Sequence, residues 1–131
     1  MIDMAALIDA AFEVKKRSYS PYSQFAVGAA LWCEDGSIVV GCNVENASYP
    51  VSLCAERAAV AAAVALGHRK FLALAVVAGQ HPVTPCGACR QVLREFGEMT
   101  VFCAAADDLQ HPEVYELSAL LPHSFDLEAS R

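Results

Sequence analysis

Two short segments hold residue types that can do chemistry together: Cys54-Ala55-Glu56-Arg57 and Pro85-Cys86-Gly87-Ala88-Cys89. In the second, the two thiols are three residues apart, so one helical turn presents both on one face. In the first, Cys54 and Glu56 are two apart and diverge in mid-helix; they converge only if the segment opens a helix. Zinc takes thiolates, and a helix N-terminus favours the thiolate over the thiol. The expectation is one zinc ion held by Cys54, Cys86 and Cys89. Three protein ligands leave a fourth position for water, the pattern of a catalytic rather than a structural zinc. Glu56 would then stand beside that water as a proton shuttle.

Other readings of the same residues differ in what they explain. A Cys-x-x-Cys pair in a chain without a secretory leader also suits a redox couple or half of a structural zinc ribbon. A closed structural site needs four ligands, yet the sequence holds no second Cys-x-x-Cys and no paired histidines, since His68, His81, His111 and His123 stand alone. A thiol oxidoreductase built on Cys86 and Cys89 leaves Cys54 and Glu56 without a task. A non-catalytic zinc module predicts bound metal and indifference to Glu56.

The elements that must position these residues follow from periodicity. Residues 3–17 carry apolar side chains at three and four spacing (Met4, Leu7, Ile8, Ala11, Phe12), with Asp3 as N-cap and Lys15, Lys16 and Arg17 in the last turn, which predicts an amphipathic helix. Strands are predicted over 25–32 and 38–44, joined at Glu34-Asp35-Gly36-Ser37 as an antiparallel hairpin. A helix over 54–66 closes at Gly67; its body is apolar on all sides, the mark of a helix covered on most of its surface. The apolar run 72–78 reads as a strand buried on both faces. Thr84 as N-cap and Pro85 as first residue open a helix ending near Phe96 and Gly97. A strand over 100–105 follows, then a polar loop over 107–113 and a short helix over 117–121. The tail from about residue 126 reads as poorly ordered. Helices alternating with apolar strands imply a single layered α/β domain over residues 1–131, with the sheet in the middle.

Composition narrows the function. The 131 residues carry a net charge of −6, 56% hydrophobic and 18% charged residues. That suits a packed globular core and argues against a nucleic-acid reader, which would show a basic face. No stretch of eighteen apolar residues is present to span a membrane, and Met1-Ile2-Asp3-Met4 lacks the basic-then-apolar order of a signal peptide. Six cysteines in such a chain suit the reducing cytoplasm, with Cys33, Cys42 and Cys103 as core residues.

A Cys two residues before Glu, followed by Pro-Cys-x-x-Cys, is a zinc deaminase signature. Cys54-Ala55-Glu56-Arg57 with Pro85-Cys86-Gly87-Ala88-Cys89-Arg90-Gln91 resembles the small homotetrameric cytidine deaminases, whose zinc is held by three cysteines. The similarity covers nearly the whole chain. It implies a three-layer α/β/α fold with a central mixed sheet and one Zn²⁺ per chain. It also implies hydrolytic deamination of cytidine and deoxycytidine to uridine and deoxyuridine in pyrimidine salvage, with attack at C4 and Glu56 shuttling protons. Arg57 would donate to the ligand sulfurs. Phe25, in Ser20-Pro21-Tyr22-Ser23-Gln24-Phe25, would pack on the pyrimidine. Asn43 and Glu45, in Asn43-Val44-Glu45-Asn46, would bind the sugar 3′-hydroxyl. Ala55 would contact the base through its backbone. Phe125, in Leu120-Leu121-Pro122-His123-Ser124-Phe125, would reach a neighbouring subunit's site, with Tyr49 near a subunit boundary. A deaminase of a cytosine nucleoside antibiotic on the same fold stays open, although the Asn43/Glu45 pair favours a ribose.

Overall fold

The computed structural model describes residues 1–128. Its elements in chain order are α1 (Met4–Lys15), β1 (Val27–Cys33), β2 (Ile38–Cys42), a 3₁₀ turn (Tyr49–Val51), α2 (Ala55–Ala65), β3 (Phe71–Ala78), α3 (Gly87–Arg94), β4 (Thr100–Ala105), β5 (Asp108–Glu116) and α4 (Leu117–Leu120). The five strands form one sheet in the order β2-β1-β3-β4-β5. β3 and β4 run parallel and the other three pairings are antiparallel. The sheet is therefore mixed, as the α/β/α expectation required.

Alternation along β3 sorts its side chains to the two faces. Leu74 and Val76 face one side, packing with Ala59, Val60 and Ala63 of α2, Leu93 of α3 and Leu117 of α4. Ala73, Ala75 and Val77 face the other, against Leu7, Ile8 and Ala11 of α1. Small residues let helices approach the sheet closely. A Cβ built on Gly28 would lie 1.9 Å from the Ala11 carbonyl oxygen, and one on Gly41 would lie 2.3 Å from the Ala59 nitrogen. Gly28 thus seats α1 on β1, and Gly41 seats α2 on β2, the second of which fixes the helix that carries Glu56.

Most predicted elements form, including α1 with Asp3 as its N-cap, whose carboxylate accepts from the Ala6 N–H at 3.1 Å. The region 107–113 does not form a loop: most of it belongs to β5, paired along β4 from Thr100↔Glu116 to Ala105↔Asp108 with a register shift between Cys103 and Ala105. β5 is the sheet's edge and most of its residues face solvent, so it carries no apolar alternation to read. An edge is also where a strand can accommodate Pro112. The start of α3 differs as well. Its N-cap is Cys86, not Thr84, and the helix begins at Gly87. α2 likewise has Cys54 as N-cap rather than as its first helical residue. At the C-terminus Arg94 donates to Asp126 at 3.1 Å and to Ser124 at 2.8 Å. The remainder of the tail, residues 129–131, lies outside the described residues.

Candidate active site

Two helix N-termini meet on one side of the sheet. Cys54 and Cys86 are N-caps of α2 and α3, and neither side chain is engaged in a capping hydrogen bond. Both thiols are consequently available to something else while lying at the positive end of a helix dipole. Cys89, one turn into α3, is fully buried. Its sulfur is 3.4 Å from that of Cys86, and the three sulfurs all lie within 4.8 Å of one another. Tetrahedral zinc with sulfur at about 2.3 Å needs sulfurs roughly 3.8 Å apart. The donor set therefore fits zinc in chemistry and in span. Among the described residues no histidine or carboxylate completes it to four.

Thiol electrostatics follow from this convergence. Burial pushes the Cys89 thiol up, and the Glu56 carboxylate nearby adds to that effect. Burial also acts to raise Cys86, but hydrogen bonds from the Cys89 backbone and side chain outweigh it and leave that thiol below its ordinary value. Zinc with three thiolates carries a formal charge of about −1, so a cation nearby matters. Arg57 supplies one: its Nη2 donates to the Cys54 sulfur at 3.3 Å. Its buried Nε has no acceptor among the described residues.

Glu56 follows Cys54 by two residues in the first turn of α2 and is only 5% exposed. Burial raises its pKa, while its own backbone N–H and the Arg57 charge act in the opposite direction. It stands on the wall of a cavity of about 250 Å³ together with Cys54, Ala55, Cys86, Asn43 and Glu45. Val27, Val76, Val83 and Thr84 add apolar surface and one hydroxyl.

Asn43 and Glu45, just beyond the end of β2, both line this cavity, and both also organise the chain itself. Asn43 Oδ1 accepts from the Val27 N–H at 2.9 Å and its Nδ2 donates to the Phe25 carbonyl at 2.9 Å. Glu45 accepts from the Tyr22 and Ser23 N–H groups at 2.9 and 3.1 Å and from the Ser23 hydroxyl. The Ser23 hydroxyl and N–H hold the Glu45 carboxyl below its usual range, so it is an anion at neutral pH. Phe25 is not a lining residue of the cavity; 42% exposed, its ring lies against Gly79, where a built Cβ would be 3.1 Å from the ring edge. Phe125, 62% exposed, is outside its own chain's cavity as well. Thr84 is a cavity residue that spacing alone assigned to capping; its hydroxyl instead accepts from Arg90.

The cytidine and deoxycytidylate deaminase zinc-binding region matches residues 1–105 of the chain. The chain belongs to this deaminase family. A cytidine deaminase of Sporosarcina psychrophila is 47% identical over 97% of this chain and 94% of its own length. A crystal structure of cytidine deaminase from Burkholderia pseudomallei superposes with a TM-score of 0.88 at 45% identity, covering 95% of this chain and all of that one. The Mycobacterium tuberculosis cytidine deaminase structure gives a TM-score of 0.85 at 44% identity over 97% of this chain and all of that one. Membership of the deaminase family accounts for the pairing of a three-sulfur cluster with a buried carboxylate, which neither a redox couple nor a closed structural zinc requires.

Proposed function

We propose that the chain, working as one domain over residues 1–131, hydrolyses cytidine and deoxycytidine to uridine and deoxyuridine and releases ammonia. The observation that carries this reading is the buried Glu56 on the wall of a cavity where three thiols converge. Cys54, Cys86 and Cys89 hold the metal. When bound, zinc acts as a Lewis acid that brings the pKa of a water towards about 7. Glu56 accepts a proton from the attacking water as oxygen adds to C4 of the pyrimidine, and passes it to N3. Glu56 then takes the proton of the new C4 hydroxyl and delivers it to the exocyclic amine as the C4–N4 bond breaks, so ammonia leaves and the ring is restored as uracil with C4=O and N3–H. A carboxyl raised by burial suits both the accepting and the donating step. Arg57 offsets the negative charge of the sulfur cluster.

Ala55 meets the base through its backbone, and Asn43 and Glu45 bind the sugar hydroxyl. Phe25 stacks on the pyrimidine by turning its exposed ring inwards. The cavity supports a nucleoside over a nucleotide: Glu45 and Glu56 line it, and no Lys or Arg among the described residues does. A phosphate there would meet carboxylates rather than the cations it needs. Four copies assemble, and Phe125, which projects from its own chain, enters a neighbour's cavity; the exposed Tyr49, Val51 and Leu66 supply apolar surface for that assembly. The enzyme works in the cytoplasm, where thiolate ligands stay reduced; all six cysteines are unbridged.

Ultraviolet absorbance at the cytosine band, read with cytidine, deoxycytidine and deoxycytidylate, tests the substrate reading. The expected result is turnover of both nucleosides and little of the nucleotide. Preference for deoxycytidylate, or no turnover of any of the three by zinc-loaded protein, contradicts it.

A further inference from the structure

The loop entering α3 has little backbone support of its own. Among the described residues, 80–85 take part in no backbone–backbone hydrogen bond, and Pro85 has no N–H to give. Yet this loop supplies Thr84 and leads directly into Cys86, both of which face the cavity.

Arg90 provides what the loop lacks. It follows Cys89 in α3 and is half-buried. Its Nε donates to the Pro85 carbonyl at 2.6 Å, its Nη2 to the Thr84 hydroxyl at 2.9 Å, and its Nη1 to the Leu120 carbonyl at 2.7 Å, at the end of α4. Its backbone N–H donates to the Cys86 carbonyl at 3.0 Å. The guanidinium thus grips Thr84, Pro85 and a segment thirty positions away, while the bond to the Cys86 carbonyl is the ordinary first backbone bond of the helix. Among the described residues Arg90 forms no ion pair. The three hydrogen bonds of its guanidinium all go to neutral oxygens, and such charge-assisted bonds are about twice as strong as neutral ones. Only a planar guanidinium reaches three separate acceptors in fixed directions.

We propose that Arg90 is a positioning residue: by tying the Thr84–Cys86 loop to α3 and to the end of α4, it sets both the Cys86 thiol relative to Cys89 and the Thr84 side of the cavity. The inference rests on the zinc site and the cavity described above. It predicts that geometry at Arg90, and not its charge, controls metal retention and substrate fit.

The test uses full-length Arg90→Lys and Thr84→Val proteins, loaded with zinc or with cobalt(II). Arg90→Lys keeps the charge but loses the fork. It is expected to yield zinc to a chromogenic chelator roughly tenfold more readily than the parent, within the range of about 10–100-fold for outer-shell changes. Its cobalt visible bands should shift, because they report the arrangement of the sulfurs. Thr84→Val keeps the shape of the wall and removes one acceptor; it should raise KM for cytidine about fivefold with a smaller change in kcat. An Arg90→Lys protein that retains zinc and cobalt spectra like the parent's overturns the proposal. If that variant fails to fold by circular dichroism, Thr84→Val decides: an unchanged KM overturns it. The metal readouts do not depend on which nucleoside is the substrate, so they still decide the role of Arg90 if deamination of cytidine is not observed.

Discussion

Under the proposed function, Glu56 and Arg57, adjacent in sequence, have opposite tasks. Replacing Glu56 by Gln keeps the shape and removes the proton acceptor. The expected outcome is full zinc content by atomic absorption with kcat lowered by about 10²–10⁴-fold, the usual worth of a positioned acid–base group. Arg57→Gln removes the donor to the Cys54 sulfur. That change should weaken zinc retention by roughly tenfold, measured by chelator competition, while Glu56→Gln should not. The two variants thus separate proton transfer from charge balance. The sulfurs and Glu56 are legible in the sequence because their spacing is the chemistry itself. The tasks of Thr84 and Arg90 are not, since a threonine before Pro85 has the look of a cap until the fold shows an arginine claiming its hydroxyl. The roles of Asn43 and Glu45 in bracing the Tyr22–Val27 segment are equally hidden, because their partners lie 16 to 23 residues away.

At the scale of elements, two glycines determine how closely helices approach the sheet. Gly28→Ala forces a methyl against the Ala11 carbonyl, and Gly41→Ala against the Ala59 nitrogen. Backbone cannot yield as a side chain tip can, so each change should cost at least about 1–3 kcal/mol in urea unfolding. Gly41→Ala should also lower activity, because it displaces the helix that carries Glu56. A different device joins β4 to α4. Glu98 accepts from the Met99 N–H at 3.2 Å and the Ser118 N–H at 3.0 Å. The Ser118 side chain first, and then backbone N–H groups, hold its carboxyl below the usual value, with burial acting in the opposite direction. A carboxyl depressed in the folded state stabilises above its unfolded pKa, about 4.3, and that stabilisation is lost as pH falls through the lower folded value. Melting temperature should therefore fall as pH drops below about 4.3, with a shallower slope for Glu98→Gln. An identical slope in the variant would show that Glu98 does not contribute. Periodicity reveals the buried elements here, and misses β5 because this edge strand buries neither face fully, leaving the sequence no apolar alternation to display.

For the whole molecule, the mixed sheet brings two helix N-termini, remote in sequence, to one cavity. The parallel β3–β4 pair makes this possible, since α3 must cross over between strands pointing the same way. The apolar residues left outward, among them Tyr49, Val51, Leu66 and Phe125, belong to assembly under the proposed function. Light scattering after gel filtration should then give about four times the 14.0 kDa chain mass. A monomer would remove the neighbour's Phe125 from the cavity and require each chain to close its site alone. The central claim, however, concerns the metal. Zinc K-edge X-ray absorption on protein loaded with one equivalent of zinc tests it most directly. Three sulfurs at about 2.3 Å and one oxygen at about 2.0 Å are the predicted shell; four protein ligands, or fewer than three sulfurs, would contradict it.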